Sequence, residues 1–312
     1  MTTRKVNLAA SVAARLLNES KRTGDVYQTI LTRYCFERFL YRLGVSNASD
    51  RFVLKGAMLL RLWADQPYRA TRDLDLLRSG DDSPEAVRAD LVAICETPVE
   101  PDAVTFDLSS LGLAAIRAEG EYAGIRATLT ARCGSVRLAL QIDMGCGDSV
   151  WPVPTSCAYP TLLDLPAPAV LVYPRETVVA EKLDAIVTLG ERNSRIKDHF
   201  DLHYLASRFA FDRAVLTEAV RRTFARRRTP IPTDTPIGLM SAYWDNPTRP
   251  AQVLAFTRRS GLALEGYPPH EIAHLLGTFL LPVLGDLKQS STQQGTWVPG
   301  GPWSPDVGMS SA

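Results

Sequence analysis

Several features that would point to common protein classes are scarce or missing. Five cysteines in 312 residues, Cys35, Cys95, Cys133, Cys146 and Cys157, form no CxxC pair, so zinc and dithiol chemistry have no starting ligands. A reducing, cytoplasmic setting is expected. No window holds the ~18 apolar residues of a membrane span. Arg4, Lys5, Arg15, Glu19, Lys21 and Arg22 interrupt the N-terminal segment where a signal peptide would need an apolar run. Charge of one sign is not in excess either. The 35 Lys and Arg face 34 Asp and Glu, for a net charge of +1, so any polyanion-binding surface has to be local. GxSxG, Walker A and GxGxxG motifs are all absent, which leaves hydrolase, P-loop and Rossmann readings without support. No internal repeat is present.

What remains is an ordinary globular composition, 46% hydrophobic and 22% charged. Apolar spacing predicts two helices within residues 8–44, broken near Thr23-Gly24-Asp25. Phe52-Val53-Leu54 is short enough for a buried strand, Gly56 suits a turn, and residues 57–63 suit a helix. Residues 72–77 read as a strand, and 82–95 as a helix started by Ser83-Pro84-Glu85. Alternation across residues 104–142, with a turn at Cys133-Gly134-Ser135, predicts an antiparallel hairpin with one wet face. The proline-rich stretch 151–174 reads as a surface connection. Helices are expected at 176–189, 196–209 and 212–228. The expected organisation is a mixed domain over 1–174, a helical domain over 175–288, and a polar, Gly/Pro-rich tail over 289–312 that is expected to be disordered.

The chemistry concentrates in Thr71-Arg72-Asp73-Leu74-Asp75. Strand alternation puts Asp73 and Asp75 on one face and Leu74 on the other. Two adjacent carboxylates oppose each other's ionisation unless a cation lies between them, and Mg²⁺ resolves this with a few carboxylates, water and phosphate. A lone Asp-x-Asp is equally compatible with a solvated strand end neutralised by Arg72 and Arg78. Asp143 shifts the balance, because Leu138, Leu140 and Ile142 take one face of their strand and Asp143 the other. If the two strands are neighbours, three acids share a polar face, the arrangement used in two-metal nucleotidyl transfer. Lys55-Gly56, at a strand-to-helix turn, offers a backbone N–H and a cation to phosphate. Lys182 borders the apolar face of its helix. Asp198 and Asp201, three apart, share a helical face, which by itself equally describes a surface helix with a Lys197–Asp201 pair. His199 and His203 lack a neighbouring glutamate and read as surface histidines.

In order and content these segments resemble the AbiEii-type nucleotidyl transferases, toxin components of bacterial toxin–antitoxin and abortive-infection systems. The resemblance covers about Phe52 to Leu205. It rests on Phe52-Val53-Leu54-Lys55-Gly56 with Thr71-Arg72-Asp73-Leu74-Asp75, Gln141-Ile142-Asp143, Ala180-Glu181-Lys182-Leu183-Asp184-Ala185, and Arg195-Ile196-Lys197-Asp198-His199-Phe200-Asp201-Leu202. It implies an α+β fold, a polymerase-β-like nucleotidyltransferase domain with a mixed sheet followed by a mostly helical C-terminal domain. It also implies transfer of a nucleotide from an NTP with Mg²⁺ or Mn²⁺, and an antitoxin encoded nearby. By resemblance, Asp73 and Asp75 are catalytic and hold metal with Asp143 in support. Lys55, Gly56 and Lys182 contact the nucleotide, with Lys182 also catalytic, and Asp198 or Asp201 supplies a nucleotide-facing or catalytic carboxylate. Some members modify the acceptor end of tRNA. The chain departs from the family at Gly56-Ala57-Met58, where a second glycine and a hydroxyl residue are usual, so a phosphate hydrogen bond is expected to be lost.

Arg221, Arg222, Arg226, Arg227 and Arg228 form a basic cluster suited to an RNA backbone, or equally to a solvated helix end. Two other functions remain open from sequence: a small-molecule, antibiotic-type nucleotidyltransferase, and a nucleotide-binding module without catalysis.

Overall fold

The break at Thr23-Gly24-Asp25 falls where the sequence predicts it. Leu8–Thr23 (α1) begins on Asn7, whose side chain accepts from the Ala10 amide. It ends at Gly24 in the left-handed conformation, with the Gly24 N–H donating to the Ser20 carbonyl. Tyr27–Val45 (α2) follows and buries Ile30, Leu31, Tyr34, Phe36, Phe39 and Leu40. The computed structural model describes residues 7–63, 71, 73–116, 124–192, 195–262, 268–289, 291 and 293–305. These fall into two compact units, one within Met1–Gly147 and Thr155–Val172, the other within Asp148–Pro154 and Tyr173–Ala312.

After α1 and α2, the first unit continues with Phe52–Lys55 (β1), Leu59–Trp63 (α3), Asp73–Arg78 (β2) and Pro84–Glu96 (α4). Val104–Ile116 (β3), Gly124–Cys133 (β4), Val136–Cys146 (β5), Thr155–Ala158 (β6) and Ala169–Val172 (β7) complete it. The seven strands form one mixed sheet in the order β3-β4-β5-β2-β1-β7-β6. Pairing is parallel between β2 and β5 and between β1 and β7, and antiparallel elsewhere. The helix start at Ser83 is as expected, its side chain accepting from the Ala86 amide. Two expectations are revised. The alternating region holds three antiparallel strands rather than one hairpin, with an irregularity between Asp107 and Gly112 in β3. The proline-rich stretch contributes β6 and β7. Its prolines stop at Pro168 and resume at Pro174, and between them Val170 and Val172 alternate into the core.

The second unit is mostly helical: Arg175–Leu189 (α5), Ile196–Arg208 (α6), Arg213–Arg227 (α7), Arg249–Ser260 (α8) and Pro269–Gln289 (α9). A small sheet joins Phe211–Asp212 (β8), Thr296–Trp297 (β9) and Trp303–Ser304 (β10) in the order β10-β9-β8. Residues 296–304 therefore depart from the expected disordered tail. Two tryptophans account for the difference. Trp297 is fully buried, its Nε1 donating to the Ala206 carbonyl at 2.7 Å and its ring 4.8 Å from Phe279. Trp303 stacks on Phe279 at 5.8 Å. Gly, Pro and Ser dominate the composition around these two residues and mask their packing value. Trp297→Ala is expected to cost about 3–5 kcal/mol of unfolding free energy in urea, as for other large-to-small core changes. A cost near zero would mean that the segment contributes nothing to the unit. Among the described residues, no helix is long and apolar enough to cross a membrane.

Candidate active site

In the first unit, Asp73 and Asp75 lie on the same face of β2, opposite the buried Leu74 and Leu76. The sheet register sets Asp75 beside Asp143 on β5, Asp143 beside Arg126 on β4, and Asp75 beside Lys55 on β1. Arg126, Asp143, Asp75 and Lys55 therefore form one row across four adjacent strands, two acids between two cations. Asp73 sits one step along, beside Gln141. At one end of the row, the Arg126 guanidinium forks onto Asp143, Nε to Oδ1 at 2.8 Å and Nη2 to Oδ2 at 2.7 Å. The Gln141 amide donates to Asp143 Oδ2 at 3.3 Å.

Gly56, immediately after β1, has φ +71°, and a Cβ there would lie 2.0 Å from Asp75 Oδ2. Only glycine lets the turn's backbone stand against that carboxylate. Met58 is 4% exposed and turns inward. With Ala57, Phe36, Tyr159 and Leu162 it borders a cavity of about 30 Å³. Where the resemblance leads one to expect a hydroxyl, this chain thus has a core side chain. Arg78 does not neutralise the Asp-x-Asp pair as the solvated-strand reading supposed. It is buried and bound to Asp90 of α4, Nε at 2.9 Å and Nη2 at 2.6 Å. Arg72 lies outside the described residues.

Among the described residues, no three His, Cys, Asp or Glu side chains stand together as a ready-made metal centre. Asp73 and Asp75 nevertheless fit a hard divalent cation. Both are oxygen donors on one polar face, and the missing Cβ at Gly56 lets the Asp75 carboxylate lie directly against the backbone of the turn.

In the second unit, α5 and α6 pack together and join Lys182 to the Asp198/Asp201 face. The Lys182 ammonium donates to Asp198 Oδ1 at 3.0 Å and to Asp201 Oδ2 at 2.7 Å. Both aspartates are buried, so the surface-helix reading is overturned. Burial raises the Asp198 carboxyl, but the charges of Lys182 and Arg195 outweigh it and hold the group below the ordinary carboxylate range.

The surface-histidine reading also fails for His199. Its ring is fully buried, stacked on Tyr243 at 4.5 Å and edge-on to Trp244 at 5.3 Å, with Nε2 2.9 Å from the Gly238 carbonyl. Helical spacing alone could not separate the inward position 199 from an exposed one. Burial pushes the imidazole down to about 4 from its ordinary 6.5. Between those values the unfolded chain binds more protons than the folded one, so stability is lost as pH falls. Lowering pH from 7 to 5 is expected to cost about 2 kcal/mol through this residue. In urea titrations at the two pH values, His199→Phe should remove that difference. An unchanged pH dependence in the variant would assign it elsewhere.

The arginine cluster divides. Arg221 and Arg222 of α7 both pair with Glu218, and the Arg222 guanidinium lies 4.0 Å over the Trp151 ring. Arg227 is held by Asp148, Glu181 and Asp184 at 3.0–3.2 Å. Arg226 and Arg228 are exposed at the end of α7. Sequence reasoning missed Arg126, although a signal was present. The turn at Gly134 sets the hairpin register, and that register places Arg126 opposite Asp143.

A mixed sheet carrying this row, with a mostly helical second unit, is the architecture that the sequence resemblance leads one to expect. The chain belongs to the AbiEii family, described as "Nucleotidyl transferase AbiEii toxin, Type IV TA system", which matches residues 38–260. No curated protein sequence matches significantly. Two solved structures from Helicobacter pylori are similar. A candidate nucleotidyltransferase is 14% identical, with a TM-score of 0.50 covering 85% of this chain and 99% of its own. The other, JHP933, is 13% identical, with a TM-score of 0.48 covering 84% of this chain and 94% of its own. The first supports the fold. Enzymes of this family generally take an NTP and a divalent metal, and a type IV toxin implies an antitoxin partner.

Proposed function

We propose that this enzyme transfers a nucleotide from an NTP to an RNA acceptor, the 3′ end of tRNA, and so blocks translation in the cytoplasm until its antitoxin, encoded nearby, counteracts it. The observation that carries the reading is the row formed by Lys55, Asp75 and Asp143, with Gly56 against the Asp75 carboxylate, in a chain of a nucleotidyltransferase family. Asp73 and Asp75 would hold Mg²⁺ or Mn²⁺, with Asp143 in support. That cation would supply activation of the attacking oxygen and neutralisation of the triphosphate. Lys55 and the Gly56 backbone N–H bind phosphate oxygens at the turn. Lys182 supplies a further triphosphate contact, its ammonium positioned by Asp198 and Asp201. Arg221, Arg222, Arg226 and Arg228 attract the RNA backbone, whereas Arg227, expected from sequence to join them, is engaged by three acids and has no charge to spare for it.

The test is incubation of the purified protein with each α-labelled NTP, Mg²⁺ and total RNA, resolved by size. Label entering tRNA-sized RNA supports the reading. Label entering only small molecules favours an antibiotic-type transferase, and no transfer with intact NTP binding favours a non-catalytic module.

A further inference from the structure

Arg126 closes the acidic row at the end opposite Lys55 and binds both oxygens of Asp143. Its surroundings are one-sided. The hydrogen bonds it donates to Asp143 are the leading influence that raises its pKa, and the charges of Asp143, Asp73 and Asp75 add to them against a desolvation effect that lowers it. The guanidinium thus stands where the row's negative field would also draw a divalent cation. Asp143 has the reach for either partner, because it is the direct register neighbour of Asp75 on an adjacent parallel strand, and adjacent strands lie about 4.8 Å apart. The pair is exchangeable rather than locked. The Arg126 side chain is 42% exposed, so water and salt screen the pair even in its forked geometry.

We propose that Arg126 is a built-in counter-ion that withholds Asp143 from the divalent-cation site on Asp73 and Asp75, so that cation binding exchanges the Arg126–Asp143 pair for an Asp143–cation contact. The inference rests on the reading of Asp73 and Asp75 as metal-holding residues. It explains why the third carboxylate lies in the same row as Asp75 while the described residues show no assembled three-acid centre. Arg126 acts through Asp143 and is therefore a positioning residue.

The experiment measures Mn²⁺ binding to the full chain without nucleotide, by electron paramagnetic resonance of the free ion. Wild type is compared with Arg126→Gln, Arg126→Lys, Asp143→Asn, the Arg126→Gln/Asp143→Asn pair, and Asp75→Asn. Arg126→Gln is expected to tighten Mn²⁺ binding about tenfold, because it frees the Asp143 carboxylate to join the cation as a further oxygen ligand. Arg126→Lys, which keeps the charge but loses the fork, should give a smaller gain. In the Asp143→Asn background the Arg126→Gln gain should vanish. Unchanged or weaker Mn²⁺ binding in Arg126→Gln overturns the inference, as does a gain that survives loss of Asp143. If Asp75→Asn binds Mn²⁺ like wild type, the metal reading itself falls and the inference with it. If Asp75→Asn abolishes binding while both Arg126 variants match wild type, only the inference falls.

Discussion

Asp75→Ala is expected to reduce nucleotide transfer by about a thousandfold or more, the scale on which a directed charge at a reacting phosphate acts, and to leave the fold intact. The side chain lies on the polar face of β2, beside Asp143 and against the Gly56 turn, while the sheet's core is built by Leu54, Leu74, Leu76 and Ile142 on the other face. Removing one of several neighbouring carboxylates also relieves like-charge repulsion, so the unfolding free energy from urea titration should stay within about 1 kcal/mol of wild type. Labelled-NTP incorporation and urea unfolding on the same preparations check both halves. Induced without antitoxin, the wild-type chain should halt growth and Asp75→Ala should not. Growth arrest that persists in the variant would show that toxicity comes from binding rather than transfer.

Lys182→Ala should also abolish transfer, but with a second consequence that Asp75→Ala lacks. The ammonium is the hydrogen-bonded partner of two aspartates that are 0% and 1% exposed. Taking it away leaves two buried carboxylates without the cation they share, and breaking a buried ion pair from one side costs about 3–5 kcal/mol. Loss of activity in this variant is therefore ambiguous on its own. Lys182→Met combined with Asp201→Asn removes one charge of each sign and should recover most of the stability. Transfer should remain absent in the pair, because the cation proposed to contact the triphosphate has not been restored. If the stabilised pair regains wild-type transfer, Lys182 is structural only, and the role assigned to it is wrong.

Much of the first unit could be read directly because its signals are local. A glycine at the end of α1, a Ser-Pro start to α4 and alternation along β2, β4 and β5 each depend on residues within a few positions of one another. The Asp-x-Asp pair was legible for the same reason, since alternation alone places both side chains on one face. The signals misled where a local average hid a tertiary partner. Residues 296–304 look disordered by composition, yet Trp297 fills the space beside Phe279. His199 looks like one of two surface histidines, yet Tyr243 and Trp244, more than forty positions away, enclose it.

The sequence by itself singled out the residues proposed to carry the chemistry: the Lys55-Gly56 turn, Asp73 and Asp75, Asp143, and the helical set of Lys182, Asp198 and Asp201. It also determined the family, because those groups recur in a characteristic order. The tertiary structure decided their states. Only strand order and register could set Asp143 beside Asp75 and give it to Arg126. Only packing of α5 on α6 could turn an apparently exposed helical face into two buried aspartates sharing one ammonium. Only the surroundings of α7 could divide the five arginines into Glu218 partners, a half-buried hub held by three acids and an exposed end. Charge and hydrogen-bonding capacity belong to the residue and can be read from its name, whereas burial and the choice of partner depend on distances between segments far apart in the chain.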